Sequence, residues 1–127
     1  MTPLEQQLEL LQKMPGYEAA TIEHVAGHPS VVVIPGVELP SGWSKPITTA
    51  RFALPPGYPF GNPDCFFADC DLRLAGGQMP QNTGIQLIPG RAAQQLWFSW
   101  HPKTWNANRD SLQTYMRLIN QRFTEVR

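Results

Sequence analysis

The chain has 127 residues, 42% hydrophobic and 16% charged, and its ten basic and ten acidic side chains cancel. That balance of apolar and charged residues belongs to one folded domain over 1–127 and argues against a disordered chain. With no basic run or stripe the sequence does not read as a nucleic-acid binder, and its longest apolar run, Val31 to Pro35, is too short to span a bilayer.

The N-terminus lacks the basic and apolar blocks of a signal peptide, which points to a cytoplasmic protein. In a reducing compartment Cys65 and Cys70 are expected as free thiols. Their odd spacing along one strand also sends them to opposite faces.

Thr2-Pro3-Leu4-Glu5 opens a helix, with Thr2 as cap, Pro3 at the first helical position and Glu5 as the capping-box acid. Leu4, Leu8 and Leu11 share a face, and Pro15-Gly16 ends the helix. Tyr17 to Val25 reads as a first strand and Ser30 to Ile34 as a buried second one that Pro35-Gly36 breaks. Ile47 to Leu54 is a third strand. The segment Leu54 to Pro63 carries Pro55, Pro56, Pro59 and Pro63, which fix φ and withhold donors, so it is an ordered turn. A fourth strand runs from about Cys65 to Cys70.

Ala75 to Arg91, with Gly76-Gly77, Pro80 and Pro89-Gly90, reads as a long irregular loop of the kind that often carries function. Ala92 to Trp100 is short, apolar and tryptophan-rich. The last helix, capped by Asn108 or Asp110, buries Leu112, Tyr115, Met116, Ile119 and Phe123. The expected class is α+β: a four-stranded antiparallel meander with an N-terminal and a C-terminal helix packed on it.

Tyr58-Pro59-Phe60 followed by Pro63, and Trp97-Phe98-Ser99-Trp100-His101-Pro102, resemble signature segments of the ubiquitin-conjugating enzyme superfamily. Pro63-Asp64-Cys65-Phe66-Phe67, Leu72-Arg73-Leu74-Ala75, Trp97 to His101 and Asp110-Ser111-Leu112-Gln113-Thr114-Tyr115 are similar to its bacterial branch, prokaryotic family E. The resemblance covers most of the chain after about residue 30, and the N-terminal helix matches by order only. It implies the ubiquitin-conjugating (UBC-like) fold and a carrier that accepts a ubiquitin-like modifier from an activating enzyme and passes it to a target. It also implies a small bacterial conjugation gene set, with an isopeptidase, in some cases serving phage defence. The alternative is a catalytically inactive module of the same fold that only binds the modifier or its activating enzyme.

In that superfamily the catalytic cysteine lies in the irregular loop after a His-Pro-Asn motif, and here the loop has none. Pro80-Gln81-Asn82 resembles the motif without its histidine, which makes Asn82 the expected oxyanion-stabilising amide. Thr83 is the nearest hydroxyl and needs a base, for which His101 is the only histidine in this half of the chain. Cys70 is the better-placed thiol, although Asp69 and Asp71 flank it and weaken it as a nucleophile. Cys65 reads more simply as a small core residue. No histidine and cysteine spacing suggests a metal, and Gly76-Gly77 lacks the lysine and helix of a phosphate loop, so no cofactor is expected.

Overall fold

The computed structural model describes residues 1–127. Helix α1 (Pro3–Gln12) is followed by strands β1 (Thr21–Glu23), β2 (Val31–Glu38), β3 (Ile47–Ala53), β4 (Cys65–Ala68), β5 (Thr83–Leu87) and β6 (Gln94–Ser99), and then helix α2 (Leu112–Thr124). The strands form one six-stranded sheet in the order β1-β2-β3-β4-β6-β5. Every neighbouring pair is antiparallel. The α+β class stands, and the four-stranded meander is corrected to six strands.

The correction has a local cause. The expected irregular loop contains β5, and the tryptophan-rich segment is β6, an inner strand paired to both β4 and β5. Strand β5 is an edge whose side chains are half or fully exposed, so Thr-Gly-Ile-Gln-Leu carries no apolar alternation to betray it. Strand β1 is also shorter than its composition suggests. Strand β2 does not stop at Pro35-Gly36: the register shifts between Ile34 and Val37. The last pair with β1 is Thr21 with Val33, so Pro35 needs no donor there. Gly36, at φ 69°, supplies the left-handed residue of the bulge. The extra residue returns Val37 to the face of Ile34, and both lie in the main core.

Both helices cover the same face of the sheet. Leu11 of α1 and Leu112, Tyr115, Met116, Ile119 and Phe123 of α2 pack on Val32, Ile34, Ala50, Phe52, Phe66, Leu96 and Phe98. Phe66 stacks on Phe98 at 4.6 Å, and Phe123 meets both edge-on. The expected apolar stripe of α2 is buried in full. Thr2 caps α1 by accepting from Glu5 N at 3.1 Å. The cap of α2 is Ser111, whose N–H donates to Thr114 Oγ1, and not Asn108 or Asp110. Asp110 is occupied in the preceding turn, where it accepts from Asn106 N.

The proline turn is tied down at two points, one of them through a shared acceptor. Tyr58 donates to Gln7 Oε1 at 2.6 Å, that same oxygen accepts from Leu112 N, and Trp105 Nε1 donates to Pro59 O. The turn therefore links α1, the sheet and the start of α2.

The other face of the sheet carries no helix. It holds a second, smaller cluster of Val31, Val33, Phe67 and Ile88, with Ala53 and Trp97 at its edge. Ile88 comes from the segment after β5, which folds over this face. Gly90 in that segment has φ 80°, and a Cβ there would lie 2.6 Å from the His28 ring. Replacing Gly90 with alanine should therefore cost about 1–3 kcal/mol, from backbone strain and the close contact together. Urea unfolding of Gly90→Ala measures it, and an unchanged midpoint would show that the segment is free to move away.

Candidate functional site

Strand parity decides which side chains meet on the open face. Phe66 and Ala68 of β4 enter the helix-side core, so Cys65 and Phe67 point the other way. Cys65 is in register with Ser99 of β6, and Phe67 with Trp97. Thr83 pairs with Phe98, a core residue of the helix side. One step beyond that pair, the Asn82 carbonyl accepts from Ser99 N at 2.9 Å. Positions 82, 99 and 65 thus form a row across three strands at one end of the open face.

Asp64 and His101 close this row. His101 Nδ1 lies 2.6 Å from Asp64 Oδ1, and His101 Nε2 lies 3.3 Å from Ser99 Oγ. The Cys65 thiol, the His101 imidazole and the Asp64 carboxylate all lie within 4.8 Å of one another. Cys65 is half-buried while Asp64 and His101 are exposed, so the cluster sits at the surface with its sulfur sheltered. An ionised carboxylate accepts only, so Asp64 places the proton of a neutral His101 on Nδ1 and leaves Nε2 as an acceptor.

Burial pushes the Cys65 thiol above its ordinary range, hydrogen bonding from the Trp100 backbone opposes this, the negative charge of Asp64 adds to it, and hydrogen bonding from the Trp97 indole opposes it. The resting group is a neutral thiol beside a base, not a free thiolate. A groove of about 340 Å³ opens from it, walled by Asp64, Cys65 and Phe67 from the β4 side, Pro29 and Pro55, Leu87 at the end of β5 and Pro89 after it.

The sequence-derived residues separate. Asn82 and His101 fall at the end of the sheet that holds Cys65. The Asn82 side chain is exposed and makes no hydrogen bond to the protein, and its φ of 60° is one that asparagine tolerates. Thr83 lies on the helix-side face, where its hydroxyl donates to Pro80 O at 2.6 Å, so His101 does not engage it. Cys70 lies past the opposite end of β4. Its carbonyl accepts from Arg73, and its flanking Asp69 and Asp71 are bridged by Lys45 at 2.8 and 3.0 Å. Those pairings hold the Asp71 carboxyl below its usual range and raise Lys45.

Asp64 and Ser99 were not singled out from the sequence. Ser99 ends β6 and His101 follows two residues later outside the strand, so only the folded chain shows that the two side chains meet. The fold also assembles a carboxylate, a thiol and an imidazole that no linear metal motif announces, and such a trio has the donor types of a zinc ligand set.

A family model described as prokaryotic E2 family E matches residues 7–126, nearly the whole chain. The chain belongs to prokaryotic E2 family E. It is thus a bacterial relative of the ubiquitin-conjugating enzymes, as Tyr58-Pro59-Phe60 and the Trp97–His101 segment suggested. No curated protein and no solved structure matches the chain significantly. Within the E2 family E fold, the helix-free face and its Asp64-Cys65-Ser99-His101 corner are the only place where a thiol, an imidazole and a carboxylate converge. No helix is long and apolar enough to cross a membrane.

Proposed function

We propose that this E2 family E protein carries a ubiquitin-like modifier as a thioester on Cys65, taking it from an activating enzyme and passing it to a target. The observation that supports this is the convergence of Cys65, His101 and Asp64 within 4.8 Å, with Cys65 and Asp64 lining a groove. The Cys65 sulfur attacks the carbonyl carbon of the modifier's thioester on the activating enzyme. Its proton passes to His101 Nε2, the nitrogen that Asp64 leaves free. The activating enzyme's sulfur departs and is reprotonated, and the new thioester stays on Cys65. An acceptor amine then displaces it.

Asn82 stands in the same row with an unpaired amide, which suits a donor to the developing oxyanion. Thr83 and Cys70 have no such partners. On the far side of His101 a second hollow of about 400 Å³ is lined by Asp110 and Glu125 together with Lys103. One domain over 1–127 suffices for this role. A cytoplasmic conjugation pathway with an isopeptidase, serving phage defence, is the setting that fits the family resemblance.

The second reading is a catalytically inactive binding module. It is favoured by the raised thiol of Cys65 and by the loop that lacks the superfamily's cysteine. Intact-mass measurement separates the two, after incubation with a bacterial ubiquitin-like protein, its activating enzyme and ATP. A one-modifier adduct released by dithiothreitol and absent in Cys65→Ala is expected. Stable complex formation with no adduct in the wild type would establish the binding module instead.

A further inference from the structure

We propose that Ser99, His101 and Asp64 form a hydroxyl-activating relay that gives this protein an acyl-ester hydrolase activity toward small activated esters. The inference is independent of the carrier reading, because it requires neither a modifier nor an activating enzyme. Three features of the structure carry it.

The hydrogen bonds run in one direction. In the neutral imidazole Asp64 accepts from His101 Nδ1–H at 2.6 Å, which leaves His101 Nε2 to accept from the Ser99 hydroxyl at 3.3 Å. That order of nucleophile, base and orienter is the one that activates a neutral alcohol, and the longer bond to the nucleophile is usual before substrate binds. The frame is also rigid where it must be. Ser99 ends an inner strand, with its N–H bonded to Asn82 O and Cys65 across from it in register. The Trp100 carbonyl accepts from Tyr115 OH at 3.0 Å and the Trp100 indole donates to Leu118 O at 3.1 Å, so the chain leading from Ser99 to His101 is held by α2. Finally, there is space for an acyl group. The 340 Å³ groove reaches Asp64 and Cys65, the register partner of Ser99, is walled by Ala53, Leu54, Phe67 and Leu87, and carries Asp64 as its one charged side chain. A short uncharged acyl chain fits those walls, and an anionic one would face the Asp64 carboxylate.

The step balances without a co-reactant other than water. Ser99 Oγ adds to the ester carbonyl carbon as its proton moves to His101 Nε2. The bond from that carbon to the leaving oxygen breaks, and His101 returns the proton to the alcohol. Water then adds to the acyl-serine, His101 takes its proton and returns it to Ser99 Oγ, and the free acid leaves.

The test uses p-nitrophenyl acetate with the full chain in EDTA, together with a fluorophosphonate probe and peptide mass spectrometry. Hydrolysis above the buffer blank is expected, falling at least ten-fold in both Ser99→Ala and His101→Ala, with the fluorophosphonate on Ser99. Asp64→Asn should lower kcat more than it changes KM, since it disturbs the imidazole and not the acyl seat. Circular dichroism and melting of each variant show whether it is folded. Ser99→Cys should restore acylation, which a merely structural serine would not do. Acetylation found on Cys65 while Ser99→Ala keeps the wild-type rate would overturn the proposal. Hydrolysis lost in EDTA and regained with zinc would overturn it too, by making Asp64, Cys65 and His101 a metal site.

Discussion

Replacing Arg122 with alanine lowers the stability of this protein by about 3–5 kcal/mol, the largest single-residue effect expected outside the aromatic core. Arg122 is the one basic side chain fully removed from solvent. It has no carboxylate partner. Instead its guanidinium donates to three backbone carbonyls, those of Gln81, Glu125 and Arg127. It also lies over the rings of Trp43, Phe98 and Trp100, at 5.9, 5.2 and 5.8 Å. Burial lowers its hold on the proton, as does the charge of Arg127, but a guanidinium remains charged. Alanine would leave unpaired carbonyls and a void under three aromatic rings. Lysine keeps the charge but offers a single nitrogen where three carbonyls converge from different segments, so Arg122→Lys should recover less than half of the loss. The fall in melting temperature, at roughly 4 °C per kcal/mol, reads both variants. A lysine variant within about 1 kcal/mol of wild type would show that charge alone matters, against the reading of shape.

The same contact reaches the corner that holds Asn82 and Ser99. Arg122 holds Gln81 O, Arg127 N–H groups hold Gln81 Oε1, and Gln81 N donates back to Arg127 O. Gln81 precedes Asn82, so the end of α2 positions the residue that stands beside Ser99. Arg122 acts as a positioning residue there: amide exchange at 81–84 should accelerate in Arg122→Lys beyond what its global stability loss produces.

Much of this fold could be read from the residues because it rests on local chemistry. The Thr2-Pro3-Glu5 start, the apolar spacing of α2 and the proline turn each declare themselves within a few positions. What stayed hidden depends on pairing. Strand β5 is solvent-washed and broken by glycine, and only its partner β6 makes it a strand. The bulge at Pro35-Gly36 looks like a stop signal unless the short span of β1 is known. The burial of Arg122 depends on the Gln81 carbonyl and on three aromatic rings distant in sequence, and nothing beside it in the chain announces them. The site divides along the same line. The sequence pointed to His101 as the one histidine in its half of the chain, and to Asn82 by resemblance. Asp64 and Ser99 acquire meaning only when β4 is laid against β6, which sets residues 64 and 65 beside 99 and 101.

That alignment sets up the second large effect, which is on transfer and depends on pH. Cys65 sits above the ordinary thiol range because it is sheltered and faces Asp64, so near neutrality its thiolate fraction is small. A neighbouring base matters most under that condition. Loading of Cys65 with modifier should therefore slow on the order of 100-fold in His101→Ala near neutral pH. As pH rises, the thiolate fraction of the variant grows about ten-fold per unit until the raised value is passed, and its deficit against wild type shrinks. The linked effect on folding follows the same sign. A thiol raised by folding contributes stability that is complete below the ordinary thiol range and is lost as pH climbs toward the folded value. Asp64→Asn separates orientation from charge. It removes the negative field that raises the thiol, which favours thiolate, and it replaces an acceptor-only group with an amide that can also donate, so the tautomer of His101 is no longer fixed. If orientation dominates, loading slows at every pH below the thiol range. If the field dominates, loading quickens, and His101 is then a neighbour of the reaction and not its base. Single-turnover loading of Cys65 across pH, followed by intact mass and dithiothreitol release, distinguishes these outcomes. A His101→Ala deficit that stays constant as pH rises would mean that the imidazole binds the incoming modifier and takes no proton.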